Sequence, residues 1–267
     1  MSAFDRLSFR AATAIVALAA FILLTAPTLI VVVSSLTSAE SLKFPPPGYS
    51  LRWYFELLNS DDLLRMARRS LIVALCAAAL AGSLGGLAAI GVYRSTSRAA
   101  RLLDALFMSP LIVPWIAIGL GILLTLSLVG APPSLTTLVA GHAVVGAPFA
   151  LRTTMASLSA LDPALLEAST SLGAGAFYGF RRVMLPAIAP GVAAGAFLAF
   201  VASFDNVPIS LFLADARSQM LPIRLWQMIQ ADLDPRVASI STALVALTLL
   251  LMLAMERLVG FSRQMAR

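Results

Sequence analysis

Five long stretches without Asp, Glu, Lys or Arg constrain the fold of this chain more than any other feature of its sequence. A helix needs roughly 20 mainly apolar residues to cross the hydrocarbon core of a membrane. The third stretch is about twice that length, and the turn signal Gly130-Ala131-Pro132-Pro133-Ser134 divides it into two crossings. The sequence therefore predicts an all-α integral membrane protein with six transmembrane helices. The stretches run from Ala11 to Ala39, Ser70 to Tyr93, Ala105 to Leu151, Val183 to Phe204, and Val237 to Met255.

Composition excludes the main alternatives to a helical membrane fold. The 267 residues are 60% hydrophobic and 12% charged, whereas soluble domains are about half apolar and about a quarter charged. The long apolar runs also lack the alternation that is typical of membrane β-strands. The single cysteine, Cys76, cannot form a disulfide within the chain, and we expect it to pack in the core.

We predict one transmembrane domain over residues 1–267. Its first stretch has a second interpretation, a cleaved signal peptide, because Arg6 and Arg10 precede it. The uncharged run is about double a typical 7–15-residue signal core, which favours a retained helix. The predicted spans are at about 11–35, 70–93, 104–128, 135–151, 184–205 and 237–257, with a cytoplasmic loop at about 152–183 and periplasmic segments at about 36–69 and 206–236.

The distribution of charge favours a cytoplasmic N-terminus. With an even number of spans, both termini lie on the same side of the membrane. If that side is the cytoplasm, the inside segments hold eleven Lys and Arg residues and the outside segments hold eight. Because cytoplasmic loops are enriched in Lys and Arg, this count favours the orientation. The outside basic residues are matched by eight acidic ones, so the net charge of +6 lies inside and indicates topology rather than nucleic-acid binding.

The predicted cytoplasmic loop carries the signals of a short helix. Asp162 is a favourable N-cap, Pro163 suits the first helical position, and Gly173 can adopt the left-handed conformation just past the helix end. A second short helix is expected over about 174–183. Two short helices joined at a glycine form a compact knob (residues 161–183), which the groove of a partner protein can hold.

The knob and the residues after it follow a spacing known from one family. Glu167-Ala168-Ser169 is followed after three residues by Gly173, after nine more by Val183, and then by Leu185-Pro186. This pattern resembles the Glu-Ala-Ala, Gly and Ile-x-Leu-Pro signature of the permeases of binding-protein-dependent ATP-binding-cassette (ABC) importers. The two departures, Ser169 for Ala and Val183 for Ile, conserve size closely. The resemblance implies the six-helix importer permease fold with a cytoplasmic coupling-helix loop.

The resemblance also implies a role for each matched residue. Glu167, Ala168 and Ser169 would lie on the coupling helix that docks into a cleft of the ATPase subunit. Gly173 would supply the bend, and Leu185 and Pro186 would lead into the fifth span. Because the chain has no Gly-x-x-x-x-Gly-Lys-Ser/Thr loop, ATP and Mg²⁺ would be bound by another chain. The chain itself is expected to be no enzyme and to hold no cofactor or metal.

The partners that the resemblance implies are two copies of an ABC ATPase, a second permease that is a different chain, and a periplasmic solute-binding protein. The location would be the bacterial inner membrane. The polyamine (spermidine/putrescine) permeases are the most similar subgroup, on the stretches Ser109–Pro114, His142 with Pro148, and Ala199–Phe212. Because the subgroup includes transporters of aminoethylphosphonate, iron and other small solutes, the cargo stays open between these classes.

Asp205, Asn206 and Trp115 are the candidate residues of the substrate pathway. Asp205 ends a long apolar run, and ionisable groups at membrane depth usually face a cavity or a partner, since burial in lipid costs several kcal/mol. Its carboxylate can attract an ammonium group, but it can equally cap a helix end or close a salt bridge. The ring of Trp115 can accept a cation on its face, although a packing role is more common.

Two other polar features are interpreted as structural. His142, the only histidine, lies in an otherwise apolar span, so a packed or hydrogen-bonded imidazole is favoured over a proton relay, and a metal site needs more ligands. Gly82-Ser83-Leu84-Gly85 superficially resembles a serine nucleophile motif. An intramembrane protease also needs a base and oxyanion donors, so small residues packing helices together explain it better.

A transporter driven by an ion gradient, working without an ATPase, is the competing function. Such proteins often carry several intramembrane acids or broken inverted repeats along their coupling path. The predicted spans here are nearly free of acidic residues. The sequence therefore favours the importer permease and keeps the gradient-driven transporter as the alternative.

Overall fold

The computed structural model describes residues 3–215, 218–231 and 234–259, and these are mostly helical. Arg217, Asp232, Arg263 and Arg267, which entered the charge count, lie outside the described residues. The helices are α1 Ala3–Ser34, α2 Arg52–Leu58, α3 Asp61–Tyr93, α4 Arg98–Met108, α5 Trp115–Leu128, α6 Leu135–Ser159, α7 Pro163–Ser171, α8 Ala176–Gly179, α9 Leu185–Phe204, α10 Val207–Leu213, α11 Leu221–Ala231 and α12 Pro235–Val259; a 3₁₀ turn, Ser109–Leu111, follows α4, and a π-helical turn, Phe180–Met184, joins α8 to α9.

Among the described residues, five helical segments are long and apolar enough to cross a membrane. They lie in α1, α3, α6, α12 and the continuous helical path from Ala176 to Phe204. A sixth crossing requires α4 and α5 together, and these helices are bent by 107° relative to one another. The prediction of an all-helical membrane fold is thus confirmed, and the sixth predicted span corresponds to the bent pair.

The bent pair corresponds to the span predicted at 104–128. Pro110 and Pro114 occupy the break between the two helices. Proline has no N–H to donate and disfavours helical geometry at the residue before it. The apolar composition of 104–128 was recognised correctly, but the two prolines interrupt the helix in the middle of that run.

Two other helices, α3 and α6, extend well past the ends of their predicted spans. Helix α3 begins at Asp61 rather than near residue 70, and α6 continues to Ser159 rather than ending near residue 151. Hydropathy locates only the apolar part of a helix, whereas backbone hydrogen bonding continues into polar residues. The expectation that Cys76 packs in the core was wrong, because its side chain is exposed on α3.

The described residues fall into two compact units, one formed by 62–226 with the end of α12, the other by the first 61 residues with 227–247. In the larger unit, α6 and α9 pack along their length. A Cβ atom added to Gly195 would lie 2.4 Å from the Ala150 Cα atom, and one added to Gly191 would lie 2.5 Å from the Thr153 carbonyl oxygen. Small residues spaced four apart let two helix backbones approach this closely.

Among the described residues, two buried clusters contribute to the core of the larger unit. One surrounds α10, where Ile209 and Leu213 pack among residues of α3 and α6. The other joins α3, α6 and the start of α9 through Leu158, Met184 and Ile188. The first cluster fixes the segment after α9, and the second fixes the segment before it, which contains the knob.

Candidate functional site

The helix of the knob forms as its sequence signals predict. The Asp162 carboxylate accepts a hydrogen bond from the Ala164 N–H at 2.9 Å, and Pro163 occupies the first position. At the other end Gly173 has a φ of +82°. Its N–H donates to the Thr170 carbonyl at 2.9 Å, and the Ala174 N–H donates to the Ser169 carbonyl at 3.1 Å. These two bonds form a Schellman motif, which requires the left-handed residue that glycine supplies without strain.

The second helix of the knob differs from the prediction. A short helix was expected over 174–183 with a new span beginning after it, but the helical path runs from Ala176 to Phe204 without a gap. A π-helical turn, Phe180–Met184, lies within that path. Leu185 and Pro186 directly follow this turn, at the start of α9. The knob is therefore continuous with the span that follows it.

The inner face of the knob packs on the membrane helices. Leu166 and Phe180 are partly buried against Leu158 of α6 and Ile188 of α9. Close-packed interiors transmit displacement because they have little free volume. A force applied to the knob therefore acts directly on α6 and α9, which are themselves in close backbone contact.

The outer face of the knob exposes apolar side chains. The exposed fractions are 88% for Leu172, 73% for Phe177 and 59% for Tyr178. Glu167 and Ala168 are exposed, Ser169 is half-buried, and the same helix contributes to an open groove. Large apolar patches outside the membrane usually mark protein contacts. The groove is lined by Leu165, Ala168, Ser169, Leu172, Tyr178 and Val183, with the glycine turn at its end.

The candidate pathway residues Asp205 and Asn206 lie where α9 ends and α10 begins. Asn206, not Asp205, caps the helix: its Oδ1 atom accepts a hydrogen bond from the Ile209 N–H at 2.8 Å, and the side chain is buried. The Asp205 side chain is exposed. Asp205 occupies the C-cap position of α9, and within the described part of the chain its carboxylate has neither a hydrogen bond nor an ion pair.

Trp115, the third candidate, begins α5 directly after the bend. Its indole Nε1–H donates a hydrogen bond to the Pro110 carbonyl at 3.2 Å. The ring is half-buried and packs against the cluster that contains Ile209 and Leu213. The tryptophan therefore holds the bend against α10, and part of its ring remains accessible.

His142 binds two hydroxyl groups that sequence reasoning did not connect to it. Its Nδ1 lies 2.7 Å from Ser203 Oγ, and its Nε2 lies 3.1 Å from Ser210 Oγ. All three side chains are buried, so the imidazole links α6 to α9 and α10. This confirms a packed and hydrogen-bonded histidine. Within the described ranges, no three His, Cys, Asp or Glu side chains are placed to hold a metal ion.

We expect His142→Leu to lower the free energy of unfolding by about 1–3 kcal/mol, because it leaves the hydroxyls of Ser203 and Ser210 buried without their partner. His142→Gln offers both a donor and an acceptor and should recover part of the loss. The melting temperature of the detergent-solubilised protein measures the effect. Equal melting temperatures for the wild type and His142→Leu would show that these hydrogen bonds contribute nothing.

Comparison with known proteins gives one family match and several relatives. Residues 64–264 match the family described as binding-protein-dependent transport system inner membrane component. The spermidine/putrescine transport system permease protein PotC of Escherichia coli K12 is 30% identical over 230 residues, which cover 86% of this chain and 87% of PotC. The putative 2-aminoethylphosphonate transport system permease protein PhnV of Salmonella typhimurium LT2 is 26% identical over 254 residues, covering 93% of this chain and 94% of PhnV.

Among solved structures, a chain of a bacterial ABC transporter involved in the import of the acidic polysaccharide alginate has a similar fold. The TM-score is 0.72 over 96% of each chain, at 15% sequence identity. At that identity the likeness concerns the fold alone.

Proposed function

Because this chain belongs to the family of binding-protein-dependent transport system inner membrane components, we propose that it forms half of a translocation pathway for a small amine-bearing solute. The chain is a multi-pass permease of the inner membrane and part of an ABC importer. Its relatives are transport permeases rather than enzymes. Membership of this family favours an ATP-driven importer over a transporter driven by an ion gradient.

The two faces of the knob support a coupling role. Its inner face packs on α6 and α9 through Leu166 and Phe180, and its outer face presents Glu167 beside an apolar groove. A partner that grips the outer face therefore moves the two helices that lead to Asp205 and α10. We propose that this partner is a separate ATPase subunit that binds ATP and Mg²⁺. In this proposal the knob and both termini lie in the cytoplasm.

The assembly we propose contains this chain, a second permease, two ATPase copies and a periplasmic solute-binding protein. Copurification tests it: tagged chain, expressed in its native host, should retain an ATPase and a second permease, and the purified assembly should import solute only when ATP is supplied. A chain that never retains an ATPase would contradict the assignment. Uptake that continues without ATP and stops when the ion gradient is dissipated would instead identify a gradient-driven transporter.

The relatives and Asp205 together support an amine as the transported group. The name of PotC specifies spermidine and putrescine, and that of PhnV specifies 2-aminoethylphosphonate. Both classes of solute carry an ammonium group. The exposed carboxylate of Asp205 at the end of α9, which pairs with no group among the described residues, offers a charge complementary to it. Aminoethylphosphonate is the second candidate after polyamines, and iron or another small solute follows.

Asp205→Asn is expected to raise the KM for putrescine about fivefold, which corresponds to roughly 1 kcal/mol for a partly screened charge pair. The amide keeps the size of the side chain but removes its charge. Initial rates of ATP-driven uptake into vesicles provide the measurement, with a neutral solute compared in parallel. Asp61→Asn, which neutralises an exposed acid at the start of α3, is the matched control. An equal change for charged and neutral solutes would remove Asp205 from cargo recognition.

A further inference from the structure

Helix α2 has an apolar stripe on the side opposite its packed side. Leu51, Phe55 and Leu58 are 56%, 62% and 67% exposed, whereas Trp53 is only 6% exposed. At about 100° per residue, the three exposed side chains fall within about 60° of one another around the helix axis, and Trp53 points the opposite way. The packing of Trp53 therefore accounts for one face of the helix, whereas the described residues leave the stripe exposed.

Hydrogen bonds fix the position of α2 relative to the end of the first span. The Tyr54 hydroxyl and the Ser35 hydroxyl are 2.6 Å apart, and the Ser35 carbonyl accepts a hydrogen bond from Ser239 at 3.1 Å. The apolar segment of α1 runs from Ala12 to Ser34, and no residue of its apolar 18-residue window is buried in the described structure. Since α1 leaves the hydrocarbon near Ser34, Tyr54 holds α2 at the boundary between hydrocarbon and headgroups.

The charged residues of α2 lie beside the stripe rather than within it. Arg52 forms ion pairs with Glu40 at 3.7 Å and Glu56 at 3.6 Å, and its guanidinium lies 4.2 Å from the centre of the Trp53 ring. These charges remain accessible to water or headgroups while the stripe faces away from them. A helix with an apolar face and charged flanks, held at this depth, has the features of an interfacial membrane helix.

We propose that Leu51, Phe55 and Leu58 insert into the lipid surface at the C-terminal end of α1 and anchor α2 in the plane of the membrane. The occupant of the stripe is phospholipid, at the boundary between headgroups and acyl chains. Continuity with the exposed apolar surface of α1 favours lipid over a protein partner. The inference does not depend on the transported solute; only the naming of the leaflet as outer depends on the proposed orientation.

Spin labels attached to single cysteines test this inference in the assembled importer. Cys76→Ala removes the native thiol, and Phe55→Cys, Leu58→Cys and Glu56→Cys are labelled separately in vesicles of phosphatidylethanolamine and phosphatidylglycerol. Collision rates with oxygen, which concentrates in lipid, and with a water-soluble nickel chelate are then compared. We expect an oxygen-to-nickel ratio several-fold higher at positions 55 and 58 than at the flanking position 56.

Two results would overturn the inference. Similar nickel accessibility at all three positions would place the stripe in water. Protection of positions 55 and 58 from both reagents, or protection that arises only when solute-binding protein is added, would identify the stripe as a protein contact. Leu51→Cys gives an independent measurement on the same stripe if either of the other labels disturbs assembly.

Discussion

Glu167→Lys is expected to reduce solute-stimulated ATP hydrolysis by the assembled importer to its unstimulated rate, while the chain still inserts into the membrane in normal amounts. Glu167 is exposed on α7 and belongs to neither buried cluster of the larger unit. Reversal of its charge therefore leaves the fold intact. On the outer face of the knob, the new cation would lie unpaired in the contact with the ATPase, where an uncompensated charge costs several kcal/mol. ATPase assays of the reconstituted complex, with and without loaded binding protein, measure the loss.

The control for this variant is Asp61→Lys, the same reversal at an exposed acid at the start of α3. It should leave the stimulation unchanged, because in the proposed topology residue 61 lies on the opposite side of the membrane from the knob. Glu167→Gln should give an intermediate loss. Full stimulation of ATP hydrolysis in Glu167→Lys would remove Glu167 from the coupling contact.

Gly195→Val is expected to destabilise the chain by about 3 kcal/mol or more, a large fraction of the stability of a typical folded domain. A Cβ atom at this position would lie 2.4 Å from the Ala150 Cα atom and 2.3 Å from the Thr153 Oγ1 atom. Because the Ala150 contact involves main-chain atoms, a change of rotamer cannot relieve it, and α6 and α9 must separate. The expected result is loss of the folded chain from detergent extracts. Fluorescence-detection size-exclusion chromatography measures the amount of folded chain, and the melting temperature measures the stability of what remains.

Gly121→Val is the matched control for the packing of α6 and α9. Gly121 also lies within a helix, but a Cβ atom added there would meet nothing within 4 Å. The variant should keep a melting temperature close to that of the wild type. If Gly195→Val were equally well tolerated, the close approach of α6 to α9 would not be a determinant of the fold.

Features that depend on neighbouring residues in the sequence could be predicted in detail. The α7 helix begins at Pro163 after the Asp162 cap and ends before Gly173, as the capping signals indicate. Capping and left-handed glycine geometry act over a few residues, so they are visible without knowledge of the fold. The apolar part of each membrane-crossing segment is likewise a property of that segment alone, but the bend between α4 and α5 and the polar ends of α3 and α6 were not predicted.

Features that depend on tertiary contacts could not be predicted. Ser203 and Ser210 meet His142 only because α9 ends at Phe204 and α10 folds back against α6. The capping role of Asn206, rather than of its neighbour Asp205, depends on the start of α10. Similarly, the exposure of Cys76 depends on which side of α3 packs against other helices. In a helix that is apolar on all sides, the sequence has no polar–apolar periodicity that identifies the buried side.

Cross-linking from the knob to the ATPase tests the central claim most directly. Ala168→Cys in a Cys76→Ala background places one thiol on the exposed face of α7, and Glu40→Cys places one in the segment between α1 and α2. In intact membranes we expect a thiol-to-amine cross-linker to join residue 168, but not residue 40, to the ATPase, with solute and ATP changing the yield. Absence of this cross-link, together with labelling of residue 168 by a membrane-impermeant maleimide added outside the cell, would contradict the cytoplasmic coupling role of the knob.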